Sequence, residues 1–396
     1  MADDEGGLGV SFSGVIGGSV TTDSQGNFEF YTDASSLGQA DGTVTDAWGQ
    51  VSNSSATVSS STPALSFCAT PTGSGRRVQV SGHVEDDEHG LGVSFSGVIG
   101  GSITVDAQGN FAFETDASAL GEVTGSVTDA WGQVGNSSTT VSSSTPSLSF
   151  SATPTGNGRQ VHVTGQVTDD EGGLGVSFSG VFSNSITVDA QGNFAFDIDA
   201  SSLGQVSGSV TDAWGQNGTS SATVDETAPT VTIAICQTGN GREICVTGSV
   251  DGRGMAGRSI SLSGVASGTG TINADGTYSI TVIASSLGQV SASVTNAWDQ
   301  AGSASGDIYN EAPQVTSVNV GYSSNDVFFD GTVQDEAALS AVVNYEYFAT
   351  GSTSVINQNE FYLVTPQGVP GIHVIVFTVV DVWGVSSDPF EVYFDI

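Results

Sequence analysis

Carboxylates are the chemically capable side chains that recur at a fixed position in this sequence. Asp46, Asp129 and Asp212 occupy the same position in three copies of Val-Thr-Asp-Ala-Trp-Gly-Gln. Carboxylates combined with backbone carbonyls suit Ca²⁺, which takes roughly six to eight oxygen ligands. An aspartate at a turn also accepts hydrogen bonds from nearby backbone N–H groups. The recurrence therefore predicts either cation ligands or turn caps.

The tryptophan of this motif marks a repeat of whole-domain size. Weaker copies surround Trp298 and Trp383, and consecutive tryptophans are 83, 83, 84 and 85 residues apart. This period is too long for a solenoid unit and suits a small β-sandwich. Prolines recur with the tryptophans and mark the junctions, because proline interrupts strand pairing. The predicted units, repeats 1 to 5 in chain order, are an incomplete repeat at 1–61, then 62–144, 145–227, 228–311 and a divergent terminal domain at 312–396.

Each complete repeat contains seven short stretches that are typical of strands, which we name A to G. In repeat 2, for example, Leu91, Val93 and Phe95 alternate with small polar residues, and a tight turn follows at Asp106. The connection after Asp116 is predicted to form one helical turn with that residue as its N-cap. Seven strands at this spacing predict an all-β fold of tandem immunoglobulin-like β-sandwich domains in an elongated array.

Composition excludes several classes of partner and activity. The 396 residues have a formal net charge of -36, contain no lysine and include six arginines. We therefore expect no nucleic acid and no anionic lipid surface as partner. No apolar run approaches the roughly 18 residues of a membrane helix, so no membrane insertion is expected, and the first residues, MADDEGG, lack the features of a signal peptide. Common catalytic motifs are missing, which predicts a non-enzymatic protein.

Strand direction predicts where the acidic loops lie. Successive strands run in opposite directions, so alternate loops share one end of a sandwich. In repeat 3 this reasoning brings together the B–C loop at Asp169–Glu171, the D–E turn at Asp189 and the F–G turn at Asp212. The incoming linker enters at the same end. The acidic turns should therefore gather where one repeat meets the preceding one.

Several motifs resemble bacterial Ig-like repeats, the tandem domains of large surface adhesins and biofilm-associated proteins. The linker 224–233 (VDETAPTVTI) resembles their joints, and the Val-Thr-Asp-x-x-Gly and Asp-x-x-Gly-x-Phe turns resemble their turns. The resemblance covers nearly the whole chain. It implies extended, non-catalytic, extracellular rods that are often stiffened by calcium between domains, with homotypic, cell-surface or polysaccharide contacts.

Two joints offer carboxylates for such a calcium ion, because carboxylates are its preferred ligands. The linkers of joints 1/2 and 2/3 read Ser-Ser-Ser-Thr-Pro, which departs from the family pattern and gives no support to calcium there. For each carboxylate, the alternative is a turn cap. The candidate ligands are Asp225, Glu226, Asp251, Asp275 and Asp299 at joint 3/4, and Glu311, Asp335, Glu336 and Asp381 at joint 4/5.

Three further sets of residues carry predictions. Cys236 and Cys245 flank a predicted hairpin and are a candidate cross-strand disulfide, which needs Cα atoms about 5.5 Å apart; the alternative is a pair of buried free thiols. The repeated tryptophan either closes its sandwich or packs on the neighbouring domain, or it forms an exposed platform for sugar rings. The arginines of the A–B turns are predicted to pair with acidic groups of the next domain; they include Arg76, Arg159 and Arg242.

Repeat 1 lacks counterparts of strand A and most of strand B, since Met1 aligns with Val84. Three explanations stand: the sequence is a fragment, the gap accepts a strand from another subunit, or this half-domain is disordered. We expect a spacer or stalk of a bacterial surface adhesin or biofilm matrix protein. The alternatives are an extracellular filament subunit that polymerises by strand complementation at repeat 1, and a polysaccharide-binding module of a secreted protein.

Overall fold

A computed structural model describes residues 7–335, 342–346, 350–356, 359–366 and 368–396 of the chain. These residues form strands and turns and contain no helix. The helical turn expected after Asp116 is therefore wrong. Ala117 N donates to Arg76 O, and Ser118 N donates to Val98 O, so these N–H groups bond to neighbouring loops instead of within a helical turn. The predicted all-β class of immunoglobulin-like sandwiches is confirmed.

The described residues of repeat 1, from residue 7 onward, form a single sheet. Its strands are β1 (Gly9–Gly14), β2 (Gly18–Thr21), β3 (Gly38–Thr45) and β4 (Val51–Val58). They pair antiparallel in the order β2-β1-β3-β4. The Phe12 ring lies 5.7 Å from the Phe28 ring and 4.7 Å from the Phe30 ring, and Phe28 is 48% exposed. The aromatic cluster thus stands where the later repeats place a second sheet.

Repeat 2 is a complete sandwich of the seven predicted strands. They are β5 (Ala64–Pro71), β6 (Arg77–Glu85), β7 (Gly92–Gly97), β8 (Gly101–Thr104), β9 (Asn110–Asp116), β10 (Gly121–Thr128) and β11 (Val134–Val141). Strands A, B and E make the sheet β5-β6-β9, and strands D, C, F and G make the sheet β8-β7-β10-β11. Inward-facing residues such as Val78, Val80 and Val93 are fully buried between the sheets.

Repeat 3 has the same two-sheet architecture as repeat 2. Its strands are β12 (Ser147–Pro154), β13 (Gln160–Thr168), β14 (Gly175–Gly180), β15 (Asn184–Thr187), β16 (Asn193–Asp199), β17 (Gly204–Thr211) and β18 (Asn217–Val224). The first sheet is β12-β13-β16 and the second is β15-β14-β17-β18. The inward-facing residues Val161, Val163 and Val176 are fully buried between them.

Repeat 4 keeps the sandwich, with strand A split in two. Its strands are β19 (Thr230–Val231), β20 (Ala234–Gln237), β21 (Glu243–Asp251), β22 (Ser259–Gly264), β23 (Gly268–Thr271), β24 (Thr277–Ile283), β25 (Gln289–Thr295) and β26 (Ala301–Asp307). Both parts of strand A pair with β21, and β23-β22-β25-β26 is the second sheet.

Repeat 5 diverges from this plan, as its sequence predicts. Its strands are β27 (Gln314–Tyr322), β28 (Asp326–Gln334), β29 (Val342–Glu346), β30 (Thr350–Ile356), β31 (Glu360–Pro366), β32 (Ile372–Val380) and β33 (Phe390–Asp395). They pair in one continuous path, β27-β28-β31-β30-β29-β32-β33, because β30 pairs with β31 and joins the two halves.

Four separate apolar cores correspond to the four later repeats. The core clusters run from Leu65 to Val141, Leu148 to Val224, Ile244 to Ile308 and Val315 to Phe394. Each cluster falls within one predicted domain, so every later repeat buries its own core. The domain boundaries themselves stay predictions.

Strand A approaches strand G so closely that only glycine fits at one position. A Cβ added to the strand G glycine would collide with the carbonyl oxygen of the junction proline; the pairs are Gly135 with Pro63, Gly218 with Pro146 and Gly302 with Pro229. Repeat 1 has Ser52 at this position. A strand A in the same register therefore cannot pack against repeat 1 without moving away from it.

Candidate functional site at the joints between repeats

The Trp turn, the F–G turn that carries the repeated tryptophan, is held by its aspartate. In repeat 3 the backbone N–H of Gln216 donates to Asp212 Oδ1 over 2.7 Å, and Asp212 N donates to Gln216 O over 3.1 Å. Gly215 adopts a φ of 87°, which glycine tolerates without strain. The turn-cap function of this aspartate is thus confirmed. It places Trp214 at the tip of the turn.

Three Trp turns are seated on the preceding repeat. Trp214 packs against the core of repeat 2, Trp298 against that of repeat 3 and Trp383 against that of repeat 4. Trp383 Nε1 also donates to Gln237 Oε1 over 2.9 Å. This confirms the prediction that the tryptophan packs on the neighbouring domain at these three joints.

An arginine of the A–B turn fastens each seated Trp turn. Its Nε donates to the carbonyl oxygen of the residue before the tryptophan, and its Nη1 donates to a serine carbonyl oxygen of its own repeat. The Nε distances are 2.8 Å for Arg76 to Ala213, 2.8 Å for Arg159 to Ala297 and 2.7 Å for Arg242 to Val382. The Nη1 acceptors are Ser118, Ser201 and Ser285.

The predicted pairing of these arginines with acidic groups holds at one joint. Arg159 Nη2 lies 2.6 Å from Asp299 Oδ2 of repeat 4. Arg76 and Arg242 instead bind backbone carbonyls of the next repeat, and Arg242 also lies over the Trp383 ring at 5.8 Å. Sequence reasoning missed this backbone role, because a carbonyl acceptor leaves no mark on residue type.

The two remaining copies of the Trp turn are not seated in this way. Trp48 is 84% exposed and Trp131 is 36% exposed. The Trp48 turn is nevertheless formed, since Trp48 N and Gln50 N donate to Asp46 Oδ1 over 2.9 and 2.7 Å. The described part of repeat 1, from residue 7 onward, contains no A–B turn and no arginine that Trp131 could contact in this way.

The carboxylates predicted to bind calcium at joint 3/4 have separate surroundings. Asp225 and Asp251 are exposed. Glu226 Oε2 lies 3.4 Å from Arg253 Nε, and the Asp299 carboxylate pairs with Arg159. Asp275 caps its turn, and hydrogen bonds from the Thr277 hydroxyl and N–H lower its pKa.

The candidates at joint 4/5 are likewise dispersed. Glu311 is exposed, Asp335 is half-buried, and Glu336 lies outside the described residues. Asp381 is 5% exposed, and its Oδ2 accepts a 2.7 Å hydrogen bond from Asn310 Nδ2. Among the described residues, no group of three or more His, Cys, Asp or Glu side chains is arranged to hold a metal ion. Calcium at these two joints stays a prediction.

The serine linkers supply hydroxyl donors to the acidic B–C loops. At joint 2/3 the Ser143 hydroxyl donates to Asp170 Oδ1 and Oδ2, each over 2.8 Å. At joint 1/2 the Ser61 and Ser60 hydroxyls donate to Asp87 and lower the pKa of that carboxyl. These linkers contain serines and no carboxylates. That feature of the sequence could have predicted hydrogen bonds from the linker hydroxyls to the acidic B–C loops.

Cys236 and Cys245 are cross-strand neighbours on β20 and β21. Cys236 is exposed, Cys245 is half-buried, and both are free thiols. Although Cys236 is largely exposed, partial desolvation and the neighbouring Cys245 raise the pKa of its thiol. The pair is therefore placed as the disulfide prediction requires, and the bond itself stays a prediction.

The solved structures that are similar to this chain include repeats of large adhesion proteins, the class that the sequence resembles. A tetra-tandem repeat from the extending region of a large adhesion protein is 20% identical over 84% of this chain and 100% of that chain, with a TM-score of 0.33. Invasin, a bacterial integrin-binding protein, is 14% identical over 84% of this chain and 79% of its own, with a TM-score of 0.32. A 1.5-MDa bacterial ice-binding adhesin is 19% identical over 62% of this chain and 97% of that chain, with a TM-score of 0.24.

No family model matches the chain, and no curated protein matches it. Within the described residues, no helix has the length and apolar character needed to cross a membrane.

Proposed function

We propose that this chain is a non-enzymatic, extracellular spacer, a stalk segment of a bacterial surface adhesin or biofilm matrix protein. The observation that carries the proposal is the repeated joint, in which a Trp turn enters the end of the preceding repeat and an arginine fastens it. A spacer needs joints that hold consecutive domains at a set angle, because domains with small polar interfaces move relative to one another by default.

The contacts at the seated joints support a stiff connection between consecutive repeats. Each seated tryptophan removes a large apolar surface from water, and the arginine makes one hydrogen bond to the next repeat and one within its own repeat. The same contacts recur at joints 2/3, 3/4 and 4/5, so all three joints should resist bending to a similar degree.

The filament alternative draws on the uncovered face of repeat 1, where Phe28 is 48% exposed. Ser52 counts against it, because the junction proline of an incoming strand A would collide there in the register of repeats 2 to 4. The spacer is therefore the better supported function.

The test compares two adjacent arginines in small-angle scattering. Arg76 bridges repeats 2 and 3, whereas Arg77 pairs with Glu114 inside repeat 2 over 2.8 Å. The native chain should show a maximum dimension on the order of 100 Å or more, from sandwiches of about 25 Å each. Arg76→Gln should shorten the mean dimension and broaden the distance distribution, and Arg77→Gln should change neither.

A radius of gyration of about 21 Å, the value expected if the whole chain formed one compact globule, would contradict the spacer function. Equal effects of the two substitutions would contradict the role of the arginine at the joint.

A further inference from the structure

Asparagine followed by glycine is the dipeptide in which asparagine most readily loses its side-chain amide, because glycine has no side chain to obstruct the attack of its backbone nitrogen. The chain contains three such pairs: Asn157-Gly158, Asn217-Gly218 and Asn240-Gly241. The first and the third lie in the A–B turns of repeats 3 and 4, and each is followed directly by the arginine of the joint. The second begins strand G of repeat 3.

The two A–B turns leave their asparagine open to this attack. Asn157 is exposed, and its backbone N–H donates to Thr155 Oγ1 over 3.2 Å. Asn240 is also exposed, and its N–H donates to the matching threonine over 3.4 Å. The next residue has a φ of 64° at Gly158 and 62° at Gly241, and a Cβ built on either glycine would meet nothing within 4 Å. The asparagine side chain therefore has free space in which to approach the glycine nitrogen.

The pair on strand G is held in a different way. Gly218 is buried and lies opposite Val210 in the pairing of β17 with β18. A Cβ on this glycine would collide with Pro146 O, so strand A covers it. Asn217 lies opposite Thr211, whose hydroxyl donates to Asn217 Oδ1 over 3.4 Å. The same dipeptide thus occurs once in a covered strand and twice in an open turn.

Repeat 2 shows that the A–B turn does not require asparagine. It has Ser74 at the matching position, and Gly75 keeps the same conformation with a φ of 63°. Thr72 N donates to Arg77 O over 2.9 Å and closes the turn, and Arg76 still reaches the next repeat. Serine in place of asparagine should therefore preserve both the turn and the joint.

We propose that Asn157 and Asn240 are sites of spontaneous deamidation, which leaves isoaspartate in the A–B turns of repeats 3 and 4. In the first step the nitrogen of Gly158 forms a bond to Asn157 Cγ, and the bond from Cγ to the side-chain nitrogen breaks. Ammonia leaves with the proton of the Gly158 nitrogen, and a five-membered succinimide ring remains.

In the second step water opens the ring at one of its two carbonyl carbons. Breaking the bond between the ring nitrogen and Cγ gives aspartate. Breaking the bond between the ring nitrogen and the main-chain carbonyl carbon gives isoaspartate, in which the chain continues through Cγ. Water is the co-reactant of this step, and no group is oxidised or reduced.

Isoaspartate affects the joint because the arginine that fastens the joint lies two residues further along the chain. The altered linkage lengthens the main chain by one carbon between Asn157 and Gly158. Arg159 Nε donates to Ala297 O of the next repeat from this same turn. Joint 3/4, and joint 4/5 through Arg242, should therefore loosen as the chain ages, whereas joint 2/3 should not. This loosening rests on the role of the arginines in the proposed function, and the deamidation itself does not.

The first test incubates the full chain in warm, mildly alkaline buffer and follows each asparagine by mass spectrometry, with fragmentation that distinguishes isoaspartate from aspartate. The folded chain should convert Asn157 and Asn240, mainly to isoaspartate. Asn217 should react at least about tenfold more slowly, because its strand must open first. Mildly acidic buffer should slow the reaction, since the attacking nitrogen must lose its proton.

A chain unfolded in guanidinium chloride is the control, and it should convert all three asparagines at similar rates. Asn157→Ser with Asn240→Ser, which copies repeat 2, should abolish the reaction at both turns. The site assignment is overturned if Asn217 reacts as fast as the other two in the folded chain. It is also overturned if Asn157 and Asn240 stay intact in the folded chain while the unfolded chain reacts.

The second test compares fresh and aged chains by small-angle scattering. The aged native chain should have a broader distance distribution than the fresh chain, and the aged double serine variant should not. Asn157→Asp with Asn240→Asp supplies the two carboxylates without the longer main chain, so it should also keep the distribution of the fresh native chain.

The two proposals fail in different ways. A compact globular shape of the fresh chain would contradict the spacer function and would not alter the conversions measured by mass spectrometry. An unchanged distance distribution in an aged chain that contains isoaspartate at both turns would overturn the loosening of the joints.

Discussion

At the scale of single residues, one aspartate position serves different partners in different repeats. Oδ1 of Asp212 and of Asp381 caps the Trp turn in the same way. The second oxygen is what differs: Asn310 satisfies it on Asp381, while no described residue does so on Asp212. The turn cap is thus common to both residues, and the partner of the second oxygen is what distinguishes them.

The opposed cysteines of repeat 4 carry a prediction at this scale. Residues directly opposite in an antiparallel pair have Cα atoms about 4.5–5.5 Å apart, within the range of a disulfide. Mild oxidation of the chain should therefore join Cys236 to Cys245, and peptide mapping by mass spectrometry should find the linked pair. Cys68 serves as the internal control, because its neighbour on β6 is Ser81, and it should stay reduced. Oxidation that dimerises the chain through Cys68 while this pair stays reduced would contradict the prediction.

The serine linker of joint 1/2 predicts a pH dependence. The Ser61 and Ser60 hydroxyls lower the pKa of Asp87 below its usual value of 3.8. A lowered pKa means that the linker contact stabilises the chain above about pH 4 and that this contribution is lost as the pH falls through the lowered value.

Ser60→Ala with Ser61→Ala should raise the pKa of Asp87 towards 3.8, as measured by carboxyl NMR titration. Asp23 is the matched control, because the backbone N–H groups of Asn27 and Gln25 lower its pKa and the linker does not touch it. A pKa of Asp87 that does not move would show that the linker hydroxyls do not hold this carboxylate.

At the scale of strands and sheets, the sequence predicts most of repeats 2 to 4. Alternation of apolar and small polar residues locates all seven strands, since inward side chains such as Val78 and Val80 are the ones that become buried. The direction of the strands correctly brings Asp169 and Asp212 together. The path of repeat 5 was not predictable, because it depends on the pairing of β30 with β31 and not on the pattern within either strand. The contact between the arginine and the Trp turn was not predictable either, because its acceptors are backbone carbonyls.

The contact between strands A and G predicts a sharp difference between two glycines of repeat 3. Gly218 faces Pro146 O with no room for a Cβ, while a Cβ on Gly175 has Ile186 O at 3.9 Å as its nearest atom. Gly218→Ala should displace strand A and destabilise repeat 3 by about 2 kcal/mol or more. Gly175→Ala should change stability by no more than about 0.5 kcal/mol. Thermal unfolding of the two variants measures the difference, and equal effects would contradict the steric argument.

At the scale of the whole molecule, the joints are not equivalent. Joints 2/3, 3/4 and 4/5 each combine a seated tryptophan with an arginine, whereas the described residues of joint 1/2 show neither contact. Joint 1/2 retains the linker contacts of Ser60 and Ser61 with Asp87. We therefore expect repeats 2 to 5 to move as one body, with repeat 1 attached more loosely.

The two serine linkers make this expectation testable within one molecule. Residues 58–63 and 141–146 are both Val-Ser-Ser-Ser-Thr-Pro, so a protease meets the same sequence at joint 1/2 and at joint 2/3. Elastase should cut the first linker faster, because opening joint 2/3 requires Trp214 and Arg76 to leave their partners. If that contact is worth about 1.4 kcal/mol, the ratio of the rates is about tenfold. Arg76→Gln should narrow the ratio and Arg77→Gln should leave it unchanged, as measured by mass spectrometry of the early products. Equal cleavage of the two linkers in the native chain would mean that the tryptophan and arginine do not hold the joint closed.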